Sequence, residues 1–205
     1  MTLLPPNPRI GYIGHARPER IERAERVRVR FSALGASVTE LPMDATRSEA
    51  ETFFHDLDCV YVGGGHTANM LDLWRSRGFD QLLIDAAHRG VLLSGVSAGA
   101  VCWFEYALWD GAGTGFKPLP ALGIFSGSCC PHYTSEPDRA VSFADHVREG
   151  KIPAGYAIGD GAGLFLHDGH PPAAIAARAD TGVWHMQMDD ETLQSRRIPA
   201  AERLV

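Results

Sequence analysis

VLLSGVSAGAVC, residues 91–102, sets a serine in a G-x-S-x-G frame between an apolar run and a small-residue stretch fit to open a helix. Val91, Leu92 and Leu93 read as the end of a buried strand. Gly95 and Gly99 remove the Cβ atoms that would collide where a strand reverses sharply into a helix. Such a turn lifts the Ser97 hydroxyl out of the sheet and aims a helix N-terminus at it. The backbone N–H of Ala98 then faces the place where a tetrahedral intermediate would carry its negative charge. Ser97 is therefore the candidate nucleophile, set against the plainer reading of a tight turn with an incidental serine.

Around this stretch, apolar runs alternate with helical patterns. Residues 9–13 read as a first strand and 18–34 as an Arg/Glu-rich amphipathic helix stopped by Gly35. Residues 37–41 form a second strand and 46–55 a helix. A third strand, 58–62, runs into GGGHT, after which Thr67 can cap a helix through Arg77. Residues 79–89 form another helix, closed by Gly90, before the strand 91–94 and the helix from Ala98. Strands alternating with helices of this length imply a parallel sheet with right-handed crossovers. The second half changes character. Short strand candidates fall at 123–126, 156–158, 164–167, 173–177 and 183–188, with one helix over 138–149, so antiparallel hairpins are expected there. Residues 110–120, rich in Gly and Pro, read as a surface loop. The expected fold is α/β, with a mostly parallel central sheet flanked by helices and some antiparallel strands in the C-terminal half. No repeat or linker divides residues 1–205, and a single domain is expected.

The 205 residues carry 45% hydrophobic and 21% charged side chains, enough for one well-filled core. A net charge of −6, with arginines scattered or gathered in one helix, argues against a nucleic-acid surface. The opening MTLLPPNPRIGYIG lacks a basic, then apolar, leader pattern, and no later segment approaches the roughly 20 apolar residues of a membrane span. A cytoplasmic protein is expected, with no membrane or nucleic-acid partner and with homo-oligomerisation left open. Cys59, Cys102, Cys129 and Cys130 show no C-x-x-C spacing and read as buried small apolar residues rather than as zinc ligands, disulfides or a catalytic thiol.

A serine hydroxyl needs a base, normally a histidine oriented by a carboxylate. His132, in CCPHYTSEP directly after an apolar strand, falls at a strand end, where catalytic groups gather in parallel sheets. His15 and His66 could approach the same edge. His55, His88 and His146 fall on expected helices, and His167 and His170 look like turn residues, with a metal role for that H-D-x-H cluster as the minor alternative. GGGHTANML, residues 63–71, lets backbone amides approach a ligand closely. It lacks both the phosphate-loop lysine and the dinucleotide-loop spacing. An oxyanion hole, with Gly64 or Gly65 as second donor, fits better than a phosphate cradle.

VYVGGGHTANML, then LLSGVSAGA, then PHYTSEPDR, then AIGDGAGLFL, four ordered motifs spread over most of residues 9–168, resemble the peptidase E (aspartyl dipeptidase) family, with cyanophycinases as more distant relatives. The resemblance implies a flavodoxin-like fold related to class I glutamine amidotransferases, a serine nucleophile, a histidine base, an acidic third member, and no metal or other cofactor. Carried across, Ser97 matches the nucleophile and His132 the base. Asp160 occupies the place where relatives commonly carry a glutamate, one methylene longer, so Glu136 and Asp138 stand as alternatives. The family's G-G-G-N-T reads G-G-G-H-T here, so His66 and Thr67 are expected to line the substrate site with an altered side chain. Arg139 follows His132 by only seven residues and is the candidate for receiving an aspartyl carboxylate.

The expectation is hydrolysis of short peptides through an acyl-enzyme on a Ser97–His132–Asp160 triad, with the amides of Ala98 and of Gly64 or Gly65 as the oxyanion hole. Two competing expectations are a hydrolase of β-linked or isoaspartyl peptides or of esters, and a non-catalytic ligand-binding module on the same scaffold. The expected partner is a small peptide substrate.

Overall fold

The computed structural model describes residues 3–19 and 22–201. They fall into two compact units, one running to Cys102 and the other starting at Trp103.

In the first unit β1 (Arg9–Ile13), α1 (Glu22–Ser32), β2 (Ser37–Glu40), α2 (Arg47–His55), β3 (Cys59–Val62), α3 (Thr67–Arg77), α4 (Phe79–His88), β4 (Leu92–Gly95) and the single turn α5 (Ala98–Val101) alternate as the sequence implied. The sheet runs in the order β2-β1-β3-β4 with every pairing parallel, β1 meeting β3 at Ile10↔Cys59 and β3 meeting β4 at Val62↔Gly95. Val60 and Val62 are fully buried, as strands covered on both faces require. Ile13, Met70, Leu71, Trp74 and Leu83 complete the packed interior. The expected first helix began at residue 18, but Pro18 and Glu19 lie in a turn, and Arg20 and Ile21 lie outside the described residues. Helix α2 starts one residue later than expected, because Thr46 is its cap. Its hydroxyl accepts from the Glu49 N–H at 3.3 Å while the Glu49 carboxylate accepts from the Thr46 N–H at 2.7 Å.

The second unit holds β5 (Phe104–Trp109), β6 (Lys117–Pro120), β7 (Phe125–Cys130), α6 (Pro137–Arg148), β8 (Gly155–Ile158), β9 (Ala162–Phe165), β10 (Ala173–Ala176), β11 (Val183–Asp189) and β12 (Thr192–Arg197). A mixed sheet in the order β12-β11-β8-β7-β5-β6 keeps β5/β7 and β7/β8 parallel, while the outer pairings are antiparallel and β9/β10 form a separate hairpin. Its core gathers Leu108, Cys130, Phe143, Val147, Ile152, Ala157 and Met186. The α/β class with a mostly parallel arrangement, flanking helices and later antiparallel strands is thus the one expected. Three strands went unread. The α5 helix stops after four residues, and FEYALW follows as a strand. Part of the expected 110–120 loop is the strand β6, whose Pro118 and Pro120 are tolerated because it lies at the sheet edge. β12 is the opposite edge and almost wholly exposed, so its TLQSRR carries no apolar alternation.

Among the described residues no helix is long and apolar enough to cross a membrane, and no group of three or more His, Cys, Asp or Glu side chains could hold a metal ion.

Candidate active site

Ser97 stands where β4 gives way to α5, with φ 55° and ψ −115°. A non-glycine residue rarely adopts a positive φ, and doing so costs on the order of 1–3 kcal/mol. The neighbouring glycines show what forces the turn. A Cβ at Gly95 would lie 2.1 Å from the Gly99 carbonyl oxygen, and one at Gly99 would lie 2.1 Å from the Val62 carbonyl oxygen. Helix α5 therefore folds back against the end of β3 at a distance only glycine permits. The Val96 N–H also donates to the Val62 oxygen at 3.1 Å. The strain at Ser97 is held in place by this packing.

The glycine loop after β3 lies against the same serine. A Cβ at Gly64 would stand 3.0 Å from Ser97 Cβ and 3.7 Å from its Oγ, so Gly64 backbone approaches the serine side chain closely. Gly65 has φ 154°, and a Cβ there would stand 2.1 Å from the Ala16 carbonyl oxygen. No backbone carbonyl among the described residues accepts from the amides of Gly64, Gly65 or Ala98. Ala98 is the first residue of its helix, a position whose N–H has no intrahelical acceptor. These are the amides the sequence singled out as donors to a developing oxyanion.

His66, not Thr67, caps α3. The expected cap is displaced by one residue, because the His66 Nδ1 accepts from the Asn69 N–H at 3.1 Å, the contact an N-cap asparagine oxygen would make. Thr67 is the first helical residue and is buried.

In the second unit His132 follows β7 across Pro131, again with a positive φ of 57°. Its Nδ1 lies 2.8 Å from Asp160 Oδ1. The parallel ladder of β7 and β8 is prolonged toward this pair: the Tyr133 N–H donates to the Ile158 oxygen at 3.0 Å, and the Asp160 N–H donates to the Thr134 hydroxyl at 3.1 Å. Thr134 stands in for the next carbonyl of the ladder and fixes the turn that carries the carboxylate. The Ser135 hydroxyl holds the Asp160 carboxyl below the usual carboxylate range against the opposing effect of burial, with further help from His132. Histidine Nδ1 bound to a carboxylate directs Nε2 to the chemistry, the division of labour that a serine hydrolase requires. Neither Thr134 nor Ser135 was singled out from the sequence, although both sit inside the PHYTSEPDR motif. A hydroxyl in a turn gives no periodic signal.

The alternative acids are placed elsewhere. Glu136 Oε2 accepts from Arg139 Nε at 2.8 Å, and Asp138 lies exposed in the first turn of α6. Arg139 itself is buried. Besides Glu136 it donates to the Leu108 carbonyl at 3.0 Å, and its guanidinium stands 4.7 Å from the centre of the Phe116 ring. His15 is likewise a core residue: its Nδ1 accepts from Trp74 Nε1 at 3.0 Å and its Nε2 donates to the Leu41 oxygen at 3.0 Å. His167 and His170 form an exposed pair with Nδ1 atoms 2.7 Å apart. The four cysteines are buried, and burial pushes the Cys59 and Cys130 thiols up to about 12, which disfavours their thiolates at neutral pH.

The uncharacterised peptidase YgaJ of Bacillus subtilis (strain 168) is 35% identical over 152 residues, 74% of this chain and 66% of its own. An uncharacterised peptidase of Listeria monocytogenes serovar 1/2a is 29% identical over 120 residues, 55% of this chain and 58% of its own. The chain thus spans a little under two thirds of the length of these curated relatives. The crystal structure of a peptidase from an acI-B1 actinobacterium superimposes with a TM-score of 0.73 at 18% identity, covering 95% of this chain and 82% of that one. A Listeria monocytogenes EGD-e protein provisionally named a peptidase E gives 0.66 at 23% identity, covering 83% and 87%. Both structures share the fold. The family model for peptidase family S51 matches residues 3–172, and the chain belongs to that family.

Proposed function

We propose that this chain is a serine peptidase that hydrolyses short peptides through an acyl-enzyme. The observation that carries the reading is the backbone of Ser97, a non-glycine residue held at φ 55° by glycine packing that admits no other residue on either side. Strain of this kind, in a family of peptidases, is the mark of a nucleophile.

In the proposed reaction Ser97 Oγ attacks the substrate carbonyl while His132 Nε2 takes the hydroxyl proton. Asp160 holds the imidazole tautomer and stabilises the imidazolium that forms. The charge on the carbonyl oxygen falls to the amides of Ala98 and of Gly64 or Gly65. Collapse breaks the C–N bond, His132 passes its proton to the leaving amine, and the peptide's acyl half remains as an ester on Ser97. Water then attacks this ester with His132 again as base, releasing the acid and restoring the hydroxyl. No metal or other cofactor enters these steps.

His66 and Thr67 border the glycine loop and are proposed to line the substrate site. A preference for N-terminal Asp would draw on Arg139, whose guanidinium already holds Glu136; an aspartyl carboxylate would have to compete with that partner. A panel of α-Asp, β-Asp and neutral dipeptides with an ester control therefore sets the substrate class. The test of the reading itself is Ser97→Ala, together with mass spectrometry after treatment with a small fluorophosphonate. Serine-dependent turnover and a single adduct on Ser97 are expected. Undiminished dipeptide hydrolysis by Ser97→Ala would refute the proposal, and ligand binding without labelling would favour a non-catalytic module.

A further inference from the structure

The glycine loop contains a mechanical weakness. Gly64 and Gly65 are joined by a peptide with no side chain on either flank, and such a unit can swing its carbonyl and N–H with little steric resistance. Yet this unit packs on the nucleophile, since a Cβ at Gly64 would stand 3.0 Å from Ser97 Cβ. A donor that must meet an oxyanion is useful only if its direction is fixed before the charge develops.

The fixing contact comes from a distant part of the sequence. Arg23, near the start of the arginine-rich α1, donates from an Nη to the Gly64 carbonyl at 2.9 Å, across 41 residues and in a partly buried setting. A trans peptide points its C=O and N–H in opposite directions, and no cis bond occurs among the described residues. Holding the Gly64 oxygen toward α1 therefore holds the Gly65 N–H away from it. A cation on the carbonyl side also polarises the peptide and strengthens the N–H as a donor. Another arginine of the same helix is spent locally, Arg28 on Glu25. Arg23 instead reaches the loop.

We infer that Arg23 is a positioning residue of the proposed peptidase site, clamping the Gly64–Gly65 peptide so that the Gly65 amide is set as the second oxyanion donor. The inference rests on the serine peptidase reading and adds a component to it. Arg23 touches neither substrate nor nucleophile. Its effect should therefore fall on the transition state and not on ground-state binding.

The experiment compares wild type, Ser97→Ala, Arg23→Met and Arg23→Lys for kcat and KM on the best dipeptide. It also measures affinity for the matching peptide aldehyde, which forms a tetrahedral adduct, and for the product, with melting curves as the folding control. Losing one oxyanion donor outright costs about 10²–10³ in kcat; releasing its clamp in Arg23→Met should cost about 10- to 100-fold, with aldehyde affinity falling in parallel. KM and product affinity should stay within about threefold. Arg23→Lys, which still offers a cationic donor, should recover part of the loss, and it carries the test if Arg23→Met does not fold. Wild-type kcat and aldehyde affinity in a folded Arg23 variant, alongside Ser97-dependent turnover in the parent, would overturn the clamp and leave the peptidase reading standing. A change confined to KM or to melting temperature would also overturn it. Absence of Ser97-dependent turnover in the wild type would remove the peptidase reading, and the clamp with it.

Discussion

His132 Nδ1 meets Asp160 Oδ1 at 2.8 Å, and the aspartate does so from a turn tied to the histidine's own loop through Thr134. Two hydrogen bonds, from the Tyr133 N–H to the Ile158 oxygen and from the Asp160 N–H to the Thr134 hydroxyl, tie the segments that carry this contact.

Asp160→Asn should lower kcat by about 10³–10⁴ with little change in fold, because an amide favours the wrong imidazole tautomer. Steady-state kinetics on a dipeptide measure this. A loss below tenfold would move the acidic role to another carboxylate.

Ser97→Gly should abolish turnover and at the same time stabilise the chain by about 1 kcal/mol, since glycine takes φ 55° without penalty. Urea denaturation of Ser97→Gly beside Ser97→Ala separates the two effects. Alanine keeps a Cβ at the strained position and should gain nothing.

Gly99→Ala should be severely destabilising, by about 3 kcal/mol or enough to prevent folding, because its methyl would meet the Val62 carbonyl oxygen, which is backbone and cannot step aside. Soluble yield and denaturation midpoint provide the measurement. The same change at Gly90, which nothing approaches but whose φ is 84°, should cost only the backbone strain.

Burial pulls the His15 imidazole below its ordinary titration range, against the Leu41 carbonyl, which favours the protonated ring; the Trp74 N–H needs Nδ1 unprotonated. The unfolded chain therefore binds this proton more readily than the folded one. The contribution of His15 is fully present above about pH 6.5 and is lost as the pH falls from there toward the lowered folded value. Melting temperature against pH should show a decline on the acid side of neutrality that is shallower in Trp74→Phe, which has already lost the bond.

His66→Asn should leave stability within about 0.5 kcal/mol, and His66→Ala should cost about 1 kcal/mol, because asparagine can replace Nδ1 as the cap acceptor and alanine cannot. Guanidinium titrations check both. If the ring also lines the substrate site, KM will change in His66→Asn while stability does not.

The first unit was legible because its strands and helices carry clean, separable periods and its turns carry glycines with specific steric duties. Gly95, Gly99 and the 63–65 run announce where backbone meets backbone. The second unit was less so. β6 holds two prolines, which argue against a strand until its edge position is known, and β12 exposes nearly every residue. Among the residues proposed for chemistry, Ser97, His132 and Asp160 could be singled out by type and order. Arg23, Thr134 and Ser135 could not: they act through single hydrogen bonds across long sequence separations or between loops, and nothing in local composition marks which arginine or hydroxyl will be the one in reach.

The packing of Gly99 on Val62 separates two kinds of evolutionary pressure on one motif. Gly95 and Gly99 answer to assembly of the scaffold, whereas on the proposed reading position 97 alone answers to turnover. A descendant that abandoned hydrolysis would keep its glycines and drift only at the serine, so among homologues the hydroxyl, not the frame around it, should sort enzymes from retired copies.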